Sequence, residues 1–349
     1  MTPLAERLVA RIAQTGPMTI SDYMAESLFH PEHGYYATRP GIGRGDFTTA
    51  PEVSQMFGEL LGLTLAATWA AQGRPGRIVL AELGPGRGVL MEDALRATRA
   101  VPGFHAAAEV HLVEASPVLR EEQARRLPGV THHAQVASLP EGPLFVIANE
   151  FFDVLPIRQF LRRGEGWAER VVGVRDDALT FGLTEPGPVG ALAHRLGDTE
   201  ENQMVELCPA APGIAAELGR RIAEHGGAAL ILDYGDWHSR GDTFQAIEAG
   251  ARADPLANPG QADLTAHVDF EPIAAAAAPA RATRLETQGA FLERLGITER
   301  ARALVAAGGD AAEIAAAHRR LVHPDEMGGL FKVLGLYPDG AAPPPGLEA

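Results

Sequence analysis

The sequence predicts an α/β fold in which a doubly wound, mostly parallel sheet carries an N-terminal helical cap and an inserted antiparallel subdomain. Two observations support this fold class. Between residues 77 and 149, short apolar runs alternate with helical patterns, as in parallel sheets with helical crossovers. The first apolar run leads into Glu82-Leu-Gly-Pro-Gly-Arg-Gly88 and then into a helical pattern. This strand–turn–helix order is typical of a loop that lets a ligand approach the backbone closely.

Composition and charge exclude several classes of protein. At 349 residues, the chain is longer than is usual for one compact core, so we expect a large domain with insertions. A formal net charge of −15 argues against nucleic-acid partners, which select basic surfaces. The single cysteine, Cys208, allows no intrachain disulfide and fits a reducing compartment. With no secretory signal and no apolar run of about 18 residues, we expect a cytoplasmic protein without a membrane span.

Residues 1–75 are predicted to form a helical cap with a lid loop. Apolar residues at helical spacing predict helices over residues 3–15, 19–28 and 53–71. A polar stretch rich in glycine and aromatic residues separates the second helix from the third, from about residue 33 to residue 52. Loops of that length inside a compact domain are often functional, so we expect this loop to cover a site.

The predicted core consists of residues 76–157 and 203–337. In its first part, the pattern predicts strands at 77–83, 109–114, 129–134 and 144–149, and helices at 89–99 and 117–126. In its second part, the pattern predicts a helix at 211–225, a strand at 228–235, an irregular insertion at 236–267, helices near 268–277, 289–295, 298–306 and 310–321, and strands near 282–287 and 330–336.

Residues 158–202 break this alternation. Three short strands at 158–163, 169–174 and 178–183 are separated by turns, which indicates an antiparallel meander inserted into the parallel core. The rest of the segment is rich in proline, glycine and acidic residues, as in a loop. The proline-rich tail, residues 338–349, is predicted to be disordered.

Glycine spacing discriminates among three ligands for the loop at 82–88. A phosphate-binding loop needs Lys and then Ser or Thr after the last glycine, and Val89 excludes it. A nicotinamide site needs G-x-G-x-x-G, whereas Gly84, Gly86 and Gly88 follow G-x-G-x-G. With Glu82 ahead of the glycines, the spacing matches the S-adenosyl-L-methionine site of class I methyltransferases.

Two acids at strand ends are predicted to hold such a cofactor. Glu114 ends the second core strand, where a carboxylate accepts hydrogen bonds from the ribose hydroxyls of a nucleoside. That contact is common to nicotinamide and methyl-donor sites. Glu82 would lie near the α-amino group of the methyl donor, where a negative charge is favourable. The structural alternatives are a helix-start charge for Glu114 and a solvated strand-end acid for Glu82.

Asn149, Glu150 and Asp153 follow the fourth core strand. Ligands of open α/β sheets bind beyond the carboxyl ends of the strands, so these side chains should face the reactive end of the cofactor. Two carboxylates there suit a guanidinium, which they would bind through paired hydrogen bonds and orient for in-line displacement. The structural alternative is that Asp153 caps the following turn while Phe151 and Phe152 pack in the core.

Almost the whole chain resembles the MidA-like class I methyltransferases, a family that includes a mitochondrial complex I assembly factor that dimethylates an arginine. Two blocks carry most of the specificity, residues 45–59, which begin Gly-Asp-Phe-Thr-Thr-Ala-Pro-Glu, and residues 262–270, Ala-Asp-Leu-Thr-Ala-His-Val-Asp-Phe. The other matching blocks are 34–36, 82–88, 149–156, 232–235 and 327–334.

The resemblance implies a Rossmann-like core with an inserted substrate region, and a loop at 45–55 that lies against cofactor and substrate. Pro51 of that loop becomes a candidate site residue. The catalytic candidates are Glu150, Asp153, Asp46 and Glu52. The cofactor-binding candidates are Glu82, Gly84, Gly86, Gly88, Glu114, Ala115, Gln135, Asn149 and Thr48. Family members often carry an acid near Gln135, so the adenine contact here would fall to Gln135 or to backbone.

The resemblance further implies an S-adenosyl-L-methionine-dependent methyltransferase that acts on a protein arginine, with a respiratory complex I subunit as substrate. Two alternatives stay open, a non-catalytic complex I assembly factor that keeps the cofactor fold, and an NAD-dependent oxidoreductase, which the glycine spacing disfavours. No metal site is predicted, because the twelve histidines lack ligand spacing and no cysteine cluster accompanies them. The sequence makes no prediction of oligomeric state.

Overall fold

A computed structural model describes residues 1–38, 49–238 and 240–349 of the chain. The N-terminal cap contains short and long helices and one short strand. Its elements are α1 (Pro3–Thr15), β1 (Met18–Thr19), α2 (Ile20–Phe29), α3 (Tyr35–Thr38), α4 (Ala50–Val53) and α5 (Gln55–Ala71). The side chains of Thr2 and Thr19 accept hydrogen bonds from the backbone at the starts of α1 and α2, which fixes where these helices begin.

The parallel core follows the cap. Its first half consists of β2 (Ile78–Leu83), α6 (Val89–Thr98), α7 (Phe104–Ala107), β3 (Ala108–Val113), α8 (Pro117–Arg126), β4 (Thr131–His133) and β5 (Leu144–Asn149). Each residue of β2 and β5 is buried, as the apolar sequence of both strands requires in a sheet covered on two faces.

The meander interrupts the core, which then resumes. The next elements are β6 (Arg158–Arg163), β7 (Gly166–Arg175), β8 (Ala178–Leu183), β9 (Met204–Leu207), α9 (Ala211–His225), β10 (Gly227–Asp236), β11 (Gln245–Glu248), β12 (Ala251–Ala253), β13 (Asp263–Thr265) and β14 (Val268–Asp269). The chain then forms α10 (Phe270–Ala276), β15 (Arg281–Ala282), β16 (Glu286–Thr287), α11 (Gln288–Arg294), α12 (Ile297–Ala306), α13 (Ala311–Val322), α14 (Met327–Leu330) and β17 (Phe331–Tyr337).

The central sheet has the strand order β15-β17-β10-β5-β2-β3-β4. Strands β4, β3, β2, β5 and β10 are parallel, and β17 runs antiparallel to β10. Apolar clusters pack on both faces of this sheet. The predicted α/β fold with a mostly parallel sheet is therefore confirmed. Because the parallel strands end at one edge, the loops after β2, β3 and β5 meet there.

The meander forms a second sheet of order β1-β7-β6-β9, with β8 paired to β7. It is antiparallel as predicted, but it also includes β1 from the cap and β9, which the sequence placed in the core. The division of the chain into domains stays a prediction. Within the described residues, no helix combines the length and apolar character needed to cross a membrane.

Two segments differ from the sequence prediction. The insertion at 236–267 was expected to be irregular, yet it forms a small sheet of order β12-β11-β13, whose strands are too short for periodicity to reveal. The tail at 338–349 was expected to be disordered. Instead Leu347 is buried against the core, and the N–H of Arg284 donates to the Glu348 carbonyl at 2.9 Å. Buried Leu347 thus anchors a segment whose overall composition resembles that of a flexible tail.

Candidate functional site

A cavity of about 750 Å³ lies at the carboxyl ends of β2, β3 and β5. Its size and its position at this edge of a parallel sheet are typical of a ligand site. Of the residues predicted for the site, those that line the cavity are Pro51, Glu52, Glu82, Gly84, Gly86, Glu114, Ala115, Gln135, Asn149, Glu150 and Asp153. Asp46 and Thr48 lie outside the described residues.

The glycine loop places its backbone against the cavity. Gly84 and Gly86 have φ values of +62° and +51°, where residues with a side chain are strained. A Cβ at Gly84 would lie 3.0 Å from Cδ2 of Phe151, whereas one at Gly86 would meet no described protein atom within 4 Å. Because Gly86 also lines the cavity, a side chain there would occupy the ligand's space.

Gly88 differs from the other two glycines because it does not line the cavity. It precedes α6 with φ +76°, and a Cβ there would lie 3.3 Å from Cδ1 of Leu127. Its missing side chain therefore lets the end of α8 approach the loop. Gly88 supports the loop by packing, and a direct contact with the cofactor stays a prediction.

Glu82, at the end of β2, is buried, and its Oε2 has no hydrogen-bond partner among the described residues. Burial raises the pKa of this carboxyl to about 8, although a backbone hydrogen bond from Met91 opposes the shift. The raised pKa shows that burial disfavours the charged carboxylate. A cation such as an α-ammonium group that binds beside it would stabilise that charge.

Glu114 is held at both carboxylate oxygens. Oε1 accepts from the backbone N–H of Ser116 at 2.8 Å, and Oε2 accepts from Nε2 of Gln123 at 3.2 Å. Burial raises its pKa. Each carboxylate oxygen has a further lone pair, so the group can still accept hydrogen bonds from ribose hydroxyls. The side chain is thus fixed at the cavity wall.

Glu150 follows β5 in a left-handed backbone conformation, with φ +51°. A non-glycine residue in that region carries strain, which is common at functional sites. Its Oε1 accepts from the Ala50 N–H at 3.2 Å and from Nδ2 of Asn149 at 3.1 Å. Burial, and then the charge of Asp153, raise the pKa of Glu150 to about 7.

Asp153 is buried and accepts a hydrogen bond from the Tyr234 hydroxyl at 2.7 Å. Burial raises its pKa to about 6, although the hydroxyl stabilises the charged form. The neighbouring Phe152 packs in the core, as the structural alternative expected, whereas Phe151 lines the cavity. Asp153 itself lines the cavity beside Glu150.

Three further residues at this site are not among the predicted site residues. Asp263, in β13, is buried and lines the cavity, and its Oδ1 accepts from the Tyr36 hydroxyl at 2.7 Å. Asp233 is fully buried and accepts from the N–H groups of Phe152 and Asp153 at 3.0 and 3.2 Å. All three residues lie in sequence blocks that carry the family resemblance, and this resemblance is the one signal that could have identified them. Their spacing along the sequence does not predict that they lie near Glu150.

We use the term acid cluster for Glu150, Asp153 and Asp263. They line one cavity, and besides burial the charges of the two aspartates raise the pKa of Glu150, which places them within electrostatic reach of it. Asp233 lies beneath the cluster, where burial and the charges of Asp153 and Glu150 raise its pKa well above the usual range. Such a cluster is stabilised by a bound cation.

Glu52 and Gln135 also line the cavity, but neither belongs to the acid cluster. The Glu52 carboxylate accepts from Nη1 of Arg87 at 3.1 Å, and Nε of Arg87 donates to Glu122 at 2.9 Å. Glu52 is therefore neutralised by a cation, and a catalytic role for it stays a prediction. Gln135 is exposed and lines the cavity, and its contact with an adenine ring stays a prediction.

These features fit S-adenosyl-L-methionine. The loop offers a cradle without side chains at Gly86, Glu114 offers acceptors for ribose hydroxyls, and Glu82 offers a buried carboxyl for the α-ammonium group. Asn149 has a buried Oδ1 without a hydrogen-bond partner among the described residues, which suits a further donor of the ligand.

Comparison with known proteins agrees with this geometry. Residues 60–289 match a family described as S-adenosyl-L-methionine-dependent methyltransferases. The chain is 37% identical to the protein arginine methyltransferase NDUFAF7, mitochondrial, of Xenopus tropicalis, covering 96% of this chain and 86% of that protein. It is also 37% identical to the Homo sapiens protein of the same name, covering 97% and 84%.

A solved structure shows the same fold. A protein from Burkholderia thailandensis whose structure was solved with bound S-adenosyl-homocysteine superposes on this chain with a TM-score of 0.83 at 30% identity. The match covers 97% of this chain and 93% of that one.

The names of the relatives correct one expectation. A cytoplasmic location was predicted, but both NDUFAF7 proteins are named mitochondrial, which contradicts it. The prediction was wrong because a single unpaired cysteine indicates a reducing compartment without distinguishing one such compartment from another.

Proposed function

The chain belongs to the family of S-adenosyl-L-methionine-dependent methyltransferases, and we propose that it methylates the guanidinium group of an arginine in a protein substrate. The observation that carries the proposal is the acid cluster, three carboxyl groups in the same cavity as the glycine loop. The relatives named protein arginine methyltransferase support it.

The electrostatics of the cavity favour a cationic substrate. Among the described residues that line it, the basic side chain is Arg87, which is already paired with Glu52 and Glu122. This arginine is therefore already held by two carboxylates that lie outside the acid cluster. A guanidinium carries five donors in one plane and can contact several carboxylates at once, whereas an ammonium is a point charge.

Glu150 and Asp153 would bind the guanidinium and turn one nitrogen toward the methyl carbon. The bound cofactor supplies an electrophilic methyl group. Transfer forms an N–C bond, breaks an S–C bond and releases one proton from the methylated nitrogen. Glu150, with a pKa of about 7, is suited to hold that proton near neutral pH. The remaining catalysis is positioning and electrostatics.

Asp263 and Tyr36 would form the opposite wall of the substrate pocket. Tyr36 donates to Asp263 at 2.7 Å, so the aspartate is fixed in orientation before a substrate arrives. A fixed carboxylate costs less to organise around a planar cation than a mobile one. Replacement of Asp263 by Asn should raise KM for the protein substrate more than it lowers kcat.

A respiratory complex I subunit is the substrate that we propose from the family resemblance. The names of the relatives specify arginine methylation and a mitochondrial location. Comparison of arginine methylation on complex I subunits, in cells with and without this protein, tests the proposal. Methylation that is unchanged on each subunit would contradict this choice of substrate and leave the arginine chemistry to be tested separately.

Incubation with labelled S-adenosyl-L-methionine and mitochondrial protein tests the chemistry. We expect methylarginine from the wild type, and a loss of label with Glu150→Gln. Exposed Glu165 provides the matched control, because Glu165→Gln makes the same change at a residue outside the described cavity lining. Cofactor binding without any label on protein would favour the non-catalytic assembly factor instead.

A further inference from the structure

Gln123 of α8 is completely buried, and both ends of its side-chain amide are hydrogen-bonded. Its Nε2 donates to the Gly86 carbonyl at 2.6 Å and to Oε2 of Glu114 at 3.2 Å. Its Oε1 lies 3.0 Å from Nε2 of His132, in β4. One amide group thus contacts both the glycine loop and the acid predicted for the ribose.

The orientation of this amide follows from its neighbours. The Gly86 carbonyl and the Glu114 carboxylate are both acceptors, so they require the NH₂ group on their side. The opposite orientation would direct the amide oxygen at two acceptors. The oxygen therefore faces His132, whose Nε2 must carry the proton. Burial lowers the pKa of His132, which favours the neutral imidazole.

Helix packing holds Gln123 at this point. A Cβ at Gly88 would lie 3.3 Å from Cδ1 of Leu127 and 3.6 Å from Cγ of Gln123. The last glycine of the loop therefore lets α8 approach closely enough for the amide to reach Gly86. Glu114 is fixed on its other oxygen by the Ser116 N–H, so Gln123 completes its orientation.

We propose that Gln123 is a positioning residue for cofactor binding, which holds the glycine loop and Glu114 in one geometry, and that His132 orients its amide. Gln123 does not line the cavity itself and acts through Gly86 and Glu114. The inference rests on the family's use of S-adenosyl-L-methionine and is independent of the arginine substrate.

The test is calorimetric binding of S-adenosyl-homocysteine and of its 2′-deoxy analogue. The wild type should bind the analogue more weakly, because Glu114 loses a hydrogen bond from the ribose. In Gln123→Met, loss of the buried amide should raise Kd for S-adenosyl-homocysteine by about tenfold to 100-fold. The ratio of the dissociation constant of the 2′-deoxy analogue to that of S-adenosyl-homocysteine measures the preference for the ribose hydroxyl. This ratio should also fall toward one, a change that a general loss of stability does not produce.

A second buried glutamine provides the matched control. Gln288 is fully buried in α11, away from the cavity lining, and its Nε2 donates to the Leu321 carbonyl at 2.9 Å. Gln288→Met should lower stability and leave both dissociation constants unchanged. His132→Phe keeps Gln123 but removes its orienting donor, so it should shift the constants in the same direction by a smaller factor.

Two outcomes would overturn the inference. Wild-type dissociation constants in Gln123→Met would show that the amide positions nothing. A parallel rise for both ligands, with the ribose preference intact, would show that Gln123 supports the fold but not Glu114. If Gln123→Met does not fold, His132→Phe decides by the same comparison. Failure to methylate arginine would leave these binding results unaffected.

Discussion

Apart from Asn149, the proposed cofactor side of the cavity lies within residues 82–135, whereas the proposed substrate side combines segments from residues 36 to 263. On the cofactor side, Glu82 and Glu114 end neighbouring parallel strands, and the glycine loop joins the first strand to its helix. On the substrate side, Asp263 comes from a small separate sheet and Tyr36 from the cap. Local sequence order specifies the first arrangement, and only tertiary folding specifies the second.

This difference should appear as separable defects. Changes on the cofactor side should alter ligand binding without a protein substrate present. Changes in the acid cluster should leave that binding intact and alter transfer. The largest effects should fall on methyl transfer, and the smallest on stability.

Glu150→Gln should reduce kcat for methyl transfer by about 100-fold to 10,000-fold, as expected when a group that binds the reacting cation and takes its proton is removed. S-adenosyl-homocysteine should bind with near wild-type affinity. Single-turnover transfer and calorimetry measure the two quantities. An equal loss of binding and transfer would show that the two sides of the cavity are not separable.

Gly86→Val should raise Kd for S-adenosyl-homocysteine by about 100-fold or more, because the side chain enters the ligand's space at φ +51°. Gly73→Val is the control for backbone strain. Gly73 has φ +86° and lies outside the described cavity lining, and a Cβ at this position would meet no described atom within 4 Å. Equal binding by the two variants would argue against the glycine loop as the cofactor cradle.

Transfer should depend on pH through Glu150. Its pKa of about 7 means that the carboxylate proposed to bind the guanidinium forms as the pH rises from 6 to 8. The guanidinium stays protonated throughout, so kcat/KM should rise by about tenfold over that range at saturating cofactor. If kcat/KM of Glu150→Gln still rises with pH near pH 7, the titrating group is a residue other than Glu150.

Glu82→Gln should make stability less dependent on pH. The folded pKa of Glu82 is about 8 against an unfolded value of 4.5, so the native state binds the proton more tightly than the unfolded state. Stability of the ligand-free protein therefore falls between about pH 4.5 and pH 8, by up to about 1.4 kcal/mol per pH unit from this group. Urea unfolding at pH 6 and pH 8 should show a smaller difference in the variant.

An unchanged difference between these two pH values would show that Glu82 is not a source of the pH dependence. The variant should also bind S-adenosyl-homocysteine more weakly, since it lacks the charge that is predicted to pair with the α-ammonium group. If Glu82→Gln is more stable than the wild type but binds the ligand more weakly, Glu82 serves ligand binding at a cost in stability.

The contrast between the two sides of the cavity also explains which site residues could be predicted from the sequence. The strand at 78–83, its glycine turn and the helix that follows are contiguous, so spacing alone indicated a nucleoside site there. Asp263 lies in a strand of three residues, inside a segment without periodicity, and its proximity to Glu150 depends on the folding of residues 236–267. Gln123 could not be predicted for another reason, because a glutamine in a polar helix resembles a solvent-facing residue until α8 packs on Gly88.

In the proposed reaction, the acid cluster presents a guanidinium to a methyl donor held by the glycine loop. Mass spectrometry of a protein substrate after incubation with the wild type and with Glu150→Gln tests it most directly. We expect methylarginine with the wild type, and its loss in a variant that still binds S-adenosyl-homocysteine. Methylation confined to lysine, or methylarginine formed equally by both proteins, would contradict it.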